Sequence, residues 1–195
     1  AGIFITGIYS IIRELNFTKS FIFYILFFIL VMIWPVSFVS IYANENTRIT
    51  ASKWINEHIP SGNSIAVEHW DDRLPMQTSN AYNFLELTLY DQPDDELKWS
   101  IINEKIESAD YIIIASNRLY VPIQKLSDCQ QYKVCFPQAS MYYRELFSGE
   151  LGFKKVAEFS SFPTIPFINL KIDDQGADES FTVYDHPKII IFKKM

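Results

Sequence analysis

One stretch of the chain lacks polar punctuation. No charged residue falls between Lys19 and Glu45, and Ser20–Ala43 reads SFIFYILFFILVMIWPVSFVSIYA. A helix of this length, rising about 1.5 Å per residue, crosses the roughly 30 Å hydrocarbon core of a bilayer with some tilt. The stretch holds fifteen Phe, Ile, Leu and Val residues. Each favours insertion by roughly 0.3–0.6 kcal/mol, which outweighs the Ser and Tyr hydroxyls and one proline. Pro35 removes a backbone donor and predicts a kink near Val31 or Ile33. A buried core helix would usually keep a polar stripe. A signal peptide would be shorter and end at a small-x-small cleavage site. The pattern therefore divides the chain into a membrane region, 1–43, and a water-exposed domain, 44–195.

Beyond the span the periodicity changes. Asn46 or Thr47 can cap a helix, and Ala51, Trp54, Ile55 and His58 recur at helical spacing until Pro60-Ser61-Gly62 stops it. Ser64–Glu68 reads as a short buried strand. Leu85, Leu87 and Leu89 alternate with polar neighbours, as in a half-buried strand ending before Pro93. Asp94 can cap a helix whose inward face is Leu97, Ile101, Ile102, Ile106 and Ala109. Tyr111–Ala115, YIIIA, is apolar throughout, as a central strand covered on both faces should be. Residues 119–138 read as irregular, 139–148 as a helix closed by Gly149, 153–159 as a strand and 163–177 as a loop. The end reads as two strand pieces broken at Asp185-His186-Pro187. This order predicts a transmembrane helix followed by a small mixed α/β sandwich domain, its sheet partly parallel with a C-terminal antiparallel pair.

Composition sharpens the division. The net charge is −6, and nearly all the acid lies after residue 44. An acidic domain is a poor partner for nucleic acid, whose binding rests on neutralising phosphates. Arg13 and Lys19 against Glu14, compared with the mixed charges of residues 44–58, tilt the orientation toward an extracytoplasmic C-terminal domain. Cys129 and Cys135 could close a small disulfide loop in an oxidising compartment or remain two thiols; their spacing fits no zinc pattern. The first residues, AGIFITGIYSII, read either as the tail of an earlier apolar segment of a polytopic protein or as the start of a trimmed chain.

Candidate chemistry gathers where strands end. In open α/β sheets, ligands bind beyond the carboxyl ends of the strands. Glu68, His69, Asp71 and Asp72 follow one strand; Ser116, Asn117 and Arg118 follow another. If the strands are neighbours, the carboxylates and histidine could hold a divalent cation and the arginine a phosphate. The competing reading is structural: Asp71 and Asp72 fold the turn before Pro75, and Arg118 pairs with one of them. His186 reads as a turn residue and His58 as a helix-end residue. With 6 glycines and no nucleophile triad, phosphate loop or HExxH pattern, the domain does not look like an enzyme in itself.

Three phrases carry a resemblance: ADYIIIASNRLY (Ala109–Tyr120), YYRELFSGELGFKKVAEFSSFP (Tyr142–Pro163) and DESFTVYDHPKIIIFKK (Asp178–Lys194). Together they resemble the C-terminal ends of polytopic membrane glycosyltransferases of family 39, the group that includes dolichyl-phosphate-mannose–protein mannosyltransferases. The resemblance extends over the whole domain and the preceding hydrophobic helix. It implies transfer of a sugar from a polyprenyl-phosphate donor on the extracytoplasmic side, with membrane lipid and the remaining transmembrane part as partners. It also implies that the catalytic acid lies in an early external loop, which no residue here matches. Ser20–Ala43 would then be the last membrane helix. Two rivals belong to other classes: an anchored extracytoplasmic binding module without catalysis, and a metal-dependent hydrolase built on Glu68–Asp72.

Overall fold

The computed structural model describes residues 17–78 and 80–195. The expectation that residues 1–16 close an earlier apolar segment, and the charges at Arg13 and Glu14, lie outside them. The chain divides into two compact units, one comprising the chain through Ser40 with Pro163–Ile172, the other Ile41–Phe162 with Asp173–Met195.

In the first unit, helix α1 spans Phe17–Val39 with Pro35 inside it. It is the one helix among the described residues long and apolar enough to cross a membrane, and it lies near the N-terminus. Its large side chains do not pack into a core: Phe28 is 63% and Leu30 66% exposed. That separates it from the core helix of a water-soluble fold, which buries an apolar stripe. The same unit contains a two-stranded hairpin, described below.

The second unit is the α/β domain expected from the pattern. It comprises α2 (Thr47–His58), β1 (Ser64–Glu68), β2 (Asn83–Leu87), α3 (Glu96–Ser108), β3 (Tyr111–Ile114), α4 (Tyr120–Lys125), α5 (Pro137–Ser148), β4 (Phe153–Phe159) and β7 (Ile189–Lys194). The five strands form one sheet in the order β2-β1-β3-β7-β4. β1 runs parallel to β2 and β3, whereas β7 is antiparallel to both β3 and β4. Alternation along the strands builds two cores. Ile65, Val67, Tyr111, Ile113, Ile189 and Ile191 pack with Ala51 and Ile55 of α2. Ala66, Ile112, Ile114, Ile190 and Phe192 pack with Trp99 and Ile102 of α3 and with Tyr143 and Leu146 of α5.

Several local expectations need correction. Asp95, not Asp94, caps α3, accepting from Lys98 N at 3.0 Å. Asp94 instead reaches α5, where its Oδ2 accepts from Gln138 N (2.8 Å) and Ala139 N (3.2 Å). Leu97 and Ile101 are 73% and 51% exposed, and Trp99 takes their place inside. Periodicity alone leaves the edge of a helical stripe undefined. The irregular 119–138 segment contains α4, whose Pro122 sits in the first turn, where a missing N–H breaks no helical bond. It also holds a Cys129–Cys135 disulfide. The first piece of the terminal strand pair is a 3-10 turn, Glu179–Phe181. Asp178 folds it by accepting from Ser180 N and Ser180 Oγ, which competes with extended pairing.

Candidate functional site at the carboxyl ends of β1 and β3

β1 and β3 are adjacent and parallel, and the chain leaves them in opposite directions across the sheet. From β1 it goes to β2; from β3 it leads to α4, α5 and the far edge. The gap between diverging connections is where an α/β sheet offers a crevice. The two polar clusters anticipated from the sequence meet here, through Asp71 and Ser116. Asp71 Oδ1 lies 2.7 Å from Arg48 Nη2, and Asp71 Oδ2 accepts a short hydrogen bond from Ser116 Oγ. Ser116 Oγ in turn accepts from Arg118 N at 3.1 Å. The Asp71 side chain is 3% exposed, so this is a buried pair joining α2 to the loops after β1 and β3.

The remaining members face elsewhere. Glu68 shares the face of Ala66, which turns its carboxyl toward α5, where Tyr143 Oη donates to Glu68 Oε1. Burial pushes Glu68 up to about 8, the Tyr143 bond working against it and the Asp71 charge adding to it. Burial also raises the Tyr143 hydroxyl well above its usual range, helped by Glu68. His69 Nδ1 lies 3.3 Å from Glu86 Oε2 at the surface. Asp72 is almost fully exposed, 3.8 Å from Arg48 Nη1. Among the described residues, no three His, Cys, Asp or Glu side chains gather as a metal site would require. Arg118 does not pair with Asp71 or Asp72. Its Nη2 donates to Tyr184 Oη at 3.1 Å, and its Nε lies 3.8 Å from Glu179 Oε1. Asn117 is buried and accepts from Thr182 Oγ1 at 3.2 Å.

Arg118 forms part of the wall of a cleft of about 480 Å³, together with Trp70, Tyr90, Lys125, Asp178 and Glu179. Trp70 meets Tyr90 edge to face with centroids 6.3 Å apart, and Tyr90 stacks on the buried Phe136 at 4.9 Å. The cleft thus offers exposed aromatic faces, two cations and two carboxylates. That set can hold a polyol by stacking and hydrogen bonding, and a phosphate by charge. A smaller cavity of about 360 Å³ shares Arg118 and is lined also by Arg48, Asp71, Asp72 and Tyr184.

Sequence reasoning missed Trp70, Tyr90 and Lys125. Trp70 lies inside the singled-out Glu68–Asp72 cluster and could have been found there. Tyr90 and Lys125 have no local signal. His186 is more than a turn residue: it is fully buried, with Nε2 2.8 Å from Asp174 Oδ2. His58 stays at the helix end, stacked on Trp54. Comparison of the chain with family models, curated proteins and solved structures finds no match.

Proposed function

We propose that the chain is the C-terminal portion of an integral-membrane glycosyltransferase that uses a polyprenyl-phosphate-linked sugar. On this reading α1 is its last membrane helix and the α/β domain is extracytoplasmic. The domain binds rather than catalyses. No residue of this chain is assigned to the chemical step, and the fragment alone is inactive. The observation that carries the reading is the cleft beyond β1 and β3, lined by Trp70, Tyr90, Arg118 and Lys125, in a chain with a membrane-length apolar helix. A phosphorylated sugar needs both kinds of group. The resemblance of Ala109–Tyr120, Tyr142–Pro163 and Asp178–Lys194 to family 39 enzymes supports it. So does the Cys129–Cys135 disulfide, a bond that persists in oxidising compartments.

The test is titration of the chain in lipid nanodiscs with a polyprenyl-phosphate hexose, followed by Trp fluorescence. Saturable binding is expected, weakened about tenfold by Arg118→Ala, the scale of one lost charge-assisted contact. In membranes carrying the full enzyme, the same variant should reduce transfer in parallel. Binding without any transfer activity would favour the anchored binding module. Absence of saturable binding would remove the role given to the cleft.

A further inference from the structure

A small hairpin belongs to the same compact unit as α1. β5 (Thr164–Ile165) and β6 (Leu170–Lys171) pair antiparallel, Thr164 with Lys171 and Ile165 with Leu170. Ile172 N donates to Pro163 O at 2.8 Å and closes the base. The tip, Pro166–Asn169, holds two non-glycine residues at positive φ, Phe167 at 71° and Asn169 at 53°. Asn tolerates that region; for a bulky residue such as Phe it is strained. The strained residue is fully exposed, and Ile168 and Leu170 beside it are 66% and 55% exposed. A turn with a strained backbone that presents Phe and Ile outward gains nothing in water.

The location of the hairpin identifies what it meets. Thr164 N donates to Ser40 Oγ at 2.9 Å, which ties the hairpin to the carboxyl end of the apolar helix within one compact unit. Trp34, the residue type that favours the membrane–water interface, is 42% exposed on the last turns of that helix. Ser40 follows it by six residues, about 9 Å along the axis. The base of the hairpin is therefore held at the carboxyl end of the apolar helix, the end that carries Trp34.

We propose that the β5–β6 hairpin is a second membrane contact, with Phe167 and Ile168 inserted into the interfacial layer of the lipid bilayer beside the carboxyl end of α1. It rests on the reading of α1 as a membrane span. Two anchoring points restrain rotation of the chain about α1, which a single helix does not.

The test places one spin label at a time on the chain in phosphatidylcholine vesicles, at Ile168→Cys, Ile29→Cys or Glu57→Cys. Cys129 and Cys135 are bonded to each other and leave the new thiol as the target. Oxygen concentrates in lipid and a nickel chelate in water, so the ratio of their collision rates reports depth. At Ile168 the ratio should exceed that at exposed Glu57 about fivefold, as for a group buried roughly 5–10 Å into the interface. A ratio at Ile168 equal to that at Glu57, with Ile29 in lipid, overturns the hairpin contact and leaves the span intact. A label at Ile168 shielded from both reagents means that protein covers the tip, and also overturns it. Water access at Ile29 removes the span and the hairpin contact together.

Discussion

At the scale of single residues, Glu68 makes the stability of the domain depend on pH. Burial raises its folded-state pKa to about 8, from an ordinary 4.5. The folded state then holds the proton more tightly than the unfolded chain. Its contribution is fully present below about pH 4.5 and is lost as pH rises through about 8. At about 1.4 kcal/mol per pH unit, the loss between pH 5 and pH 9 is a few kcal/mol. Glu68→Gln keeps an acceptor for Tyr143 and removes the titration. Its unfolding free energy, from urea titration in micelles, should stay level from pH 5 to 9 while the parent declines; parallel decline would assign the effect to another group. Asp94 is a second carboxylate on which the fold depends, through the number of its donors. It accepts from Lys98 Nζ (3.0 Å), Trp99 Nε1 (2.7 Å) and two backbone N–H groups at the start of α5, with its side chain 2% exposed. Asp94→Ala leaves Lys98 Nζ on Leu89 O and Asp91 O but strips Trp99 Nε1 and two backbone N–H groups of their acceptor, and a loss of about 3 kcal/mol is expected in the same titration. A loss under about 1 kcal/mol would mean that water replaces the carboxylate.

At the scale of elements, the chain was readable wherever local signals act alone. α2 begins at its Asn46 cap, β1 and β3 are short apolar runs, and α5 ends at Gly149. Gly149 sits at φ 85° as the left-handed cap of α5. Gly149→Ala should lower stability by about 1 kcal/mol, because a Cβ penalises that conformation. An added Cβ would meet Phe153 O at 3.7 Å, an ordinary contact, so the cost is conformational rather than steric crowding. A urea midpoint unchanged in Gly149→Ala would show the cap to be unstrained. Elements were missed where the local signal was absent or misleading. β5 and β6 have two residues each, too few for an alternation to register. Residues 180–185, SFTVYD, alternate like a strand, yet Asp178 captures Ser180 and turns the backbone. Pro122 hid α4 because a proline usually marks irregular chain, and only its place in the first turn makes it compatible.

At the scale of the whole molecule, the site was half legible. The end-of-strand rule put Asp71 and Ser116 in reach of each other, and they meet because β1 and β3 are neighbours. Their partners come from far along the chain. Arg48 reaches Asp71 from α2, and Tyr143 reaches Glu68 from α5. Sheet order decides those meetings, and no local pattern encodes it. The span, by contrast, depends only on composition. Fifteen Phe, Ile, Leu and Val residues contribute about 6 kcal/mol toward insertion at roughly 0.4 kcal/mol each. An arginine near the helix centre costs roughly 2.5–3.5 kcal/mol, so Ile29→Arg with Leu30→Arg cancels that gain. The parent chain should stay with the membrane pellet through alkaline carbonate extraction, and the double variant should move largely to the supernatant. A parent chain released by carbonate, or a double variant retained as firmly as the parent, would show that α1 is not what holds this chain to a bilayer.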